Sequence, residues 1–236
     1  MKILLTNDDG IDALGLQSLR EYLTQIGHDV FVVAPDRERS CCGHGMSLGQ
    51  EVLIKKVEKN VYICDGLPAD CSHLGIREIF SEFKLDLVIS GINHGANLGQ
   101  DIYYSGTLAG AREASFLGIP SLALSICDSL PSEIGVANIF PILNEDFFKE
   151  IKSQFQVGNV VNVNYPHFST PQELQVWKCD LAFRYYCNSI KLQSSDENSS
   201  TYKIKGSLSG HKKSARVTDS FAIENGHIAR SLIKVF

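Results

Sequence analysis

The chain has 236 residues, 44% of them hydrophobic, and a formal net charge of -5, with a sequence pI near 5.8. That length suits one sizeable α/β core carrying an extension, and the acidic balance with scattered Lys and Arg excludes a binder of nucleic-acid polymers. No apolar run approaches the roughly 20 residues of a membrane span, no signal-peptide layout follows Lys2, and seven cysteines without CxxC spacing suggest neither a disulfide framework nor a zinc site, so the expected home is a reducing cytoplasm.

"KILLT" (2–6) reads as a first buried strand and ends in Asn7-Asp8-Asp9-Gly10. Leu16, Leu19, Leu23 and Ile26 then recur at helical spacing, with Gly27 where a helix would stop. "DVFVVAP" (29–35) is a second strand, followed by the irregular "DRERSCCGHGMSLG" and by "EVLIKKV" and "NVYICDG", which read as a β-hairpin excursion. Pro68 opens a helix over 68–80, "LDLVIS" (85–90) is a third buried strand, and "GINHGANLGQDIYYSGT" bends the chain with four glycines. The small-residue helix "LAGAREASFLG" is suited to pack close to a sheet, and the strand "PSLALSI" follows it. A helical stretch over 133–155, broken near Pro141, leads to the strand "NVVNVNY". The alternation is that of βα units and a mainly parallel sheet. After Pro166 polar segments separate short alternating runs, so residues 1–165 are expected to form the core and 166–236 a β-rich extension that pairs with another subunit.

In open parallel sheets ligands sit outside the carboxyl ends of the strands. Three such ends here carry oxygen donors: Asp8-Asp9, the loop Asp36–Ser40, and Gly91–Asn97. Adjacent carboxylates near an interior repel and are suited to a cation, while the alternative is a strand-ending turn built from Asn, Asp and Gly. Carboxylate, hydroxyl and amide oxygens are hard donors, fitted to Mg²⁺, Mn²⁺ or Ca²⁺ rather than zinc. His44 and His94 lack paired metal-site spacing and are assigned to hydrogen bonding or substrate contact. In "YYSGTLAG" (104–110), Ser105, Gly106 and Thr107 before a helix form an anion cradle, with a plain helix cap as the competing reading. No Walker A loop, G-x-S-x-G elbow or well-placed G-x-G-x-x-G is present. Cys41-Cys42 beside Arg39 and His44 are weak candidates for a thiol nucleophile.

The blocks "ILLTNDDGIDALGLQSL", "VVAPDRERSCCGHGMSL", "GLPADCSHLGI", "DLVISGINHGANLGQDIYYSGTLAGAREASFLGIPSLALS", "VVNVNYP" and "TDSFAIENGHIARSL" resemble, in order, those of the SurE family of metal-dependent nucleotidases. The resemblance implies a Rossmann-like three-layer core, a swapped β-rich C-terminal part, and homodimers or homotetramers. It also implies hydrolysis of nucleoside 5′- and 3′-monophosphates with one divalent ion, Mg²⁺ or Mn²⁺, per subunit. The family's metal ligands fall on Asp8, Asp9, Ser40 and Asn93, and its phosphate contacts on Asn97, Ser105, Gly106 and Thr107. Asp8 and Asp9 are also the expected catalytic pair, one of them orienting or deprotonating the attacking water, with a covalent aspartyl-phosphate as the competing route. Cys41-Cys42 depart from the family's small or polar residues, and the chain stops at Phe236, where many relatives continue into a helix. A non-catalytic metal and nucleotide sensor on the same fold is the alternative function.

Overall fold

The computed structural model describes residues 1–127, 133–166, 174–187 and 190–234. The elements in chain order are β1 (Lys2–Thr6), α1 (Leu14–Gln25), β2 (Asp29–Pro35), β3 (Ile54–Glu58), β4 (Val61–Cys64), α2 (Pro68–Leu74), β5 (Leu87–His94), α3 (Gly106–Phe116) and β6 (Ser121–Ile126). They continue with α4 (Glu133–Ala137), α5 (Glu145–Ser153), β7 (Asn159–Tyr165), β8 (Val176–Lys178), β9 (Arg184–Cys187), β10 (Ile190–Ser195), β11 (Ser200–Ile204), β12 (Ser207–His211), α6 (Asp219–Glu224) and β13 (Ile228–Lys234). Among the described residues one nine-stranded sheet has the order β3-β4-β2-β1-β5-β6-β7-β13-β8. Its six central strands, β4 to β7 in that order, run parallel.

The chain moves outward from β1 to β2 and β4, then returns to β5 on the other side of β1. This is the doubly wound order, and its switch point lies between β1 and β5. Period-two alternation builds the three layers. Ile3 and Leu5 face α1, α4 and α5 with Leu16, Leu19, Leu23, Val136, Phe148 and Ile151. Leu4 points the other way and packs with Phe31, Val33, Cys71, Val88 and Ala114. Each fully buried Leu or Ile contributes roughly 1.5–3 kcal/mol relative to exposure. As expected, Gly27 ends α1, at φ 88°, and α3 lies close on the sheet: a methyl on Gly110 would meet Thr6 Cγ2 at 2.8 Å.

Four details differ from the sequence expectations. The hairpin forms, β3 against β4, but it joins the main sheet, because Val61 and Cys64 are buried and β4 pairs in parallel with β2. Its first strand also begins at Ile54 rather than Glu51. The helix over 68–80 stops at Leu74 and continues as one wider π-helical turn, Gly75–Ile79, where a methyl on Gly75 would lie 3.0 Å from Leu4. The strand over 85–90 runs on to His94, shifting register against β6 between Ser90 and Asn93, so the glycine-rich stretch begins as sheet, from Gly91 to His94. The break near Pro141 occurs as expected, Phe140–Ile142 forming a 3₁₀ turn between α4 and α5.

Within the C-terminal extension, residues 167–173, 188–189 and 235–236 lie outside the described residues. β9–β12 and β10–β11 form two small antiparallel pairs, and β13 returns to the main sheet between β7 and β8. The arm's base is held by Asp219, which accepts from Gly99 N at 2.7 Å and from Ala182 N at 2.9 Å.

Gly15 is where α1 touches β5: a Cβ there would lie 2.1 Å from the Ile92 carbonyl oxygen. Gly15→Ala should therefore lower stability by about 1–3 kcal/mol through overpacking. Urea unfolding measures this, and an unchanged midpoint would contradict the packing described.

Candidate active site

Thr6 of β1 lies opposite Ser90 of β5, so Asn7–Asp9 run alongside Gly91–His94 at the switch point. Asn7 folds this end into a tight turn, its side chain donating to Gly10 O at 2.8 Å and accepting from Gly10 N at 3.2 Å. Gly10 adopts φ 101°, which a glycine takes without strain. The turn reading thus holds for the backbone and leaves the two carboxylates to be explained.

The three strand-end loops meet. Arg39 N donates to Asp8 O at 2.7 Å, and His94 N donates to Asp9 Oδ2 at 3.4 Å. Asp8 is only 4% exposed. Its Oδ1 accepts from Thr107 Oγ1 at 2.6 Å. Burial lifts its pKa from the ordinary 3.8 to about 6, opposed by the Thr107 hydroxyl and backbone N–H and reinforced by the charge of Asp9. Burial likewise lifts Asp9 to about 6, opposed by His94 N–H and reinforced by Glu38. Among the described residues no lysine or arginine pairs with either carboxylate, and the nearest basic group is His94 Nδ1, 4.0 Å from Asp9.

The α3 N-terminus stands directly against Asp8. A Cβ on Gly106 would lie 2.7 Å from Asp8 Cβ and 2.9 Å from both Asp8 Oδ2 and Cys42 Sγ. Ser105 is the helix cap, its Oγ accepting from Leu108 N at 3.1 Å, so the cap reading of "SGT" describes its side chain. Thr107 is committed to Asp8, and Asn97 Nδ2 turns inward to Ser125 Oγ at 2.8 Å and Thr107 Oγ1 at 3.3 Å. Asn93 lies on the β5 extension, with Nδ2 on Gly95 O at 2.8 Å, which leaves Oδ1 as its donor atom. Ser40 is exposed and gives its hydroxyl to Glu38 at 2.7 Å rather than to either aspartate. Beneath Asn97, Asn164 accepts from its N–H at 2.7 Å, and Asn162 and Asn164 donate to its carbonyl at 2.9 and 3.0 Å. Sequence reading did not single out these two, although polar residues two apart in "NVVNVNY" mark one face of an otherwise apolar strand.

Cys42 does not suit a nucleophile, since burial and then the Asp8 charge push its thiol up to about 11. Concavity alone does not select the site either. A 710 Å³ cavity lies elsewhere, lined by His211, Arg216, Phe221 and Glu224 among others. What selects the switch point is an acid pair whose buried member, Asp8, is set against a helix N-terminus.

Fold and site together define a doubly wound α/β protein in which a buried carboxylate at the switch point stands against the N-terminus of a helix. The family model described as "Survival protein SurE" matches residues 3–188, and the chain belongs to that family. "5'-nucleotidase SurE" of Vibrio vulnificus (strain CMCP6) is 33% identical over 235 residues, covering 100% of this chain and 90% of its own length. The protein of the same name from Marinomonas sp. (strain MWYL1) is 36% identical over 231 residues, covering 97% and 90%. That from Geotalea daltonii is 52% identical over 129 residues, 55% of this chain and about half (51%) of the relative's length. The crystal structure titled as the SurE protein from Aquifex aeolicus matches with a TM-score of 0.81 and 32% identity, covering 100% of this chain and 94% of that one.

Proposed function

We propose that the chain is a divalent-metal-dependent phosphomonoesterase that hydrolyses nucleoside 5′- and 3′-monophosphates to nucleoside and phosphate. The observation that carries this reading is the Asp8-Asp9 pair, of which Asp8 is buried and accepts from Thr107 in the first turn of α3. A cation site and an anion site are thereby adjacent, as a phosphoryl group requires. The names borne by the relatives support the same reading.

The residues present fit a hard ion: two carboxylates without a Lys or Arg partner, an amide oxygen and a hydroxyl. Asp8, Asp9, Ser40 and Asn93 would hold one Mg²⁺ or Mn²⁺. When bound, the ion supplies charge for the phosphoryl oxygens and a water of lowered pKa. Ser105, whose oxygen caps α3, keeps a hydroxyl proton that it would donate to the phosphate, and Gly106 N–H in the first turn of α3 would donate to the same group. Thr107 fixes the rotamer of Asp8, and Asn97 braces Thr107 from below. One of the aspartates orients the attacking water and takes its proton, and direct attack predicts that no phosphoenzyme is trapped during turnover.

The exposed Phe183, Ile190 and Ile204 of the arm support self-association through the 166–236 extension as a homodimer or homotetramer. Seven free cysteines support a reducing cytoplasm. Among the described residues no helix is long and apolar enough to cross a membrane.

Nucleoside monophosphates and p-nitrophenyl phosphate, assayed against several divalent ions, test the reading. Turnover should need added Mg²⁺ or Mn²⁺ and disappear with EDTA. Failure to hydrolyse any mononucleotide would overturn it in favour of the non-catalytic sensor, which no structural observation otherwise favours.

A further inference from the structure

Away from the carboxylate pair, α3 carries a second buried acid. Glu113, 6% exposed, lies between two imidazoles from different elements. His44 Nε2 is 3.2 Å from its Oε2, and His73 Nδ1 of α2 is 2.8 Å from its Oε1. Burial pushes the Glu113 carboxyl up, yet the hydrogen bonds and charges of His44 and His73 outweigh it and hold the group below the usual range. His44 also stacks on Phe116, one turn further along α3, with ring centroids 5.7 Å apart and planes within 7°.

His44 belongs to the loop that crosses the site. That loop is tied to the end of β1 through Arg39 N, to the turn before α3 through Gly43 N on Tyr104 O (2.9 Å), and to α2 through Ser47 N and Oγ on Asp70 (2.9 and 2.8 Å). Between these ties Cys41 and Gly43 bend at φ 59° and 58°. His44 is the residue through which this loop grips the body of α3, and α3 is the helix that contacts Asp8 through Gly106 and Thr107. The loop bearing Ser40 and the helix bearing the anion cradle are therefore joined at a point remote from both.

We infer that His44 and Glu113 are positioning residues of the metal site: the His44–Glu113 pair, braced by His73, locks the 39–47 loop onto α3 so that Ser40 and the Asp8-facing end of α3 keep one geometry. The inference rests on the metal-dependent reading above. It assigns to a His–Glu contact that bonds to none of the candidate ligands a role comparable to that of the outer hydrogen-bond partners of metal ligands, whose loss costs about 10- to 100-fold in affinity.

The test measures Mn²⁺ binding to the EDTA-treated full-length protein by calorimetry, together with kcat and KM for AMP, in His44→Ala, Glu113→Gln, the double variant and His44→Gln. Glu113→Gln keeps side-chain volume but has one acceptor oxygen where Glu113 meets two imidazoles, so it breaks the bracing while guarding against simple unfolding of His44→Ala, and urea midpoints are recorded for all four. Each single variant should bind Mn²⁺ about tenfold more weakly or worse. The double variant should be no weaker than the weaker single, and His44→Gln, which can still donate to Glu113, should regain most of the affinity. Wild-type Mn²⁺ affinity in both folded single variants, or effects that multiply in the double, would overturn the inference. Because binding is read without turnover, an inactive wild type that still binds Mn²⁺ would sink the nucleotidase reading and leave this one standing.

Discussion

Asp8→Asn should remove metal-dependent turnover, by about 10³-fold or more, and at the same time make the metal-free protein more stable at neutral pH. The first effect follows from losing a charged ligand, because a bound cation contributes several kcal/mol to stabilising charge on phosphoryl oxygens. The second follows from burial. Asp8 rises from 3.8 to about 6 in the folded chain, so the folded state holds its proton more tightly than the unfolded state does. Stability from that proton is complete below pH 4 and is lost as pH climbs through about 6. At pH 7.5 with EDTA the wild type therefore carries a penalty of at most about 3 kcal/mol at Asp8, given 1.36 kcal/mol per unit. Asn has the same shape, carries no charge, and can still accept the Thr107 hydroxyl through Oδ1. Mn²⁺ should reverse the order, stabilising the wild type and not the variant. Urea midpoints from pH 4.5 to 8, with EDTA and with Mn²⁺, read both signs. A variant that is less stable than wild type in EDTA, or that keeps wild-type turnover, would refute the assignment.

That tension between burial and charge was legible in the sequence. "KILLT" followed by Asp8-Asp9 places two acids at the end of a buried strand, and β1 and the turn occur as read. β2 was legible to the residue, because an apolar run closed by proline leaves little ambiguity. Contacts between distant residues were not. Glu113 in "AGAREASF" looks like one polar residue on a helix of small ones, and nothing local reveals that His44, 69 residues away, turns onto it. The β3-β4 hairpin was legible as a local pair, but its incorporation into the parallel sheet depends on β2 lying beside it. The inward turn of Asn97 likewise depends on Ser125 and Asn164, which arrive from β6 and β7. Local pattern thus reached the strand ends that meet at the switch point, whereas the side-chain commitments there are set by the order of strands.

Gly106→Ala tests the adjacency on which the chemistry depends. No unusual φ protects this position, so only space demands glycine. Its Cβ would press on Asp8 Cβ at 2.7 Å and on Asp8 Oδ2 and Cys42 Sγ at 2.9 Å. Cys42 sits on a loop and can yield, whereas Asp8 is buried and bound to Thr107 of the same helix. The strain must therefore shift α3 from β1 or turn the Asp8 carboxylate, and either change alters the Asp8–α3 contact on which the proposed chemistry rests. A displacement near 1 Å costs about 10²-fold in rate, so kcat/KM for a mononucleotide should fall by roughly that factor, with a stability loss of about 1–3 kcal/mol from overpacking. Adding Cys42→Ala relieves one of the three close approaches and should not restore activity. If Gly106→Ala kept wild-type kcat/KM, or if Cys42→Ala rescued it fully, the contact that matters would be with the loop thiol, and the coupling between Asp8 and α3 would not be what sets the geometry of the site.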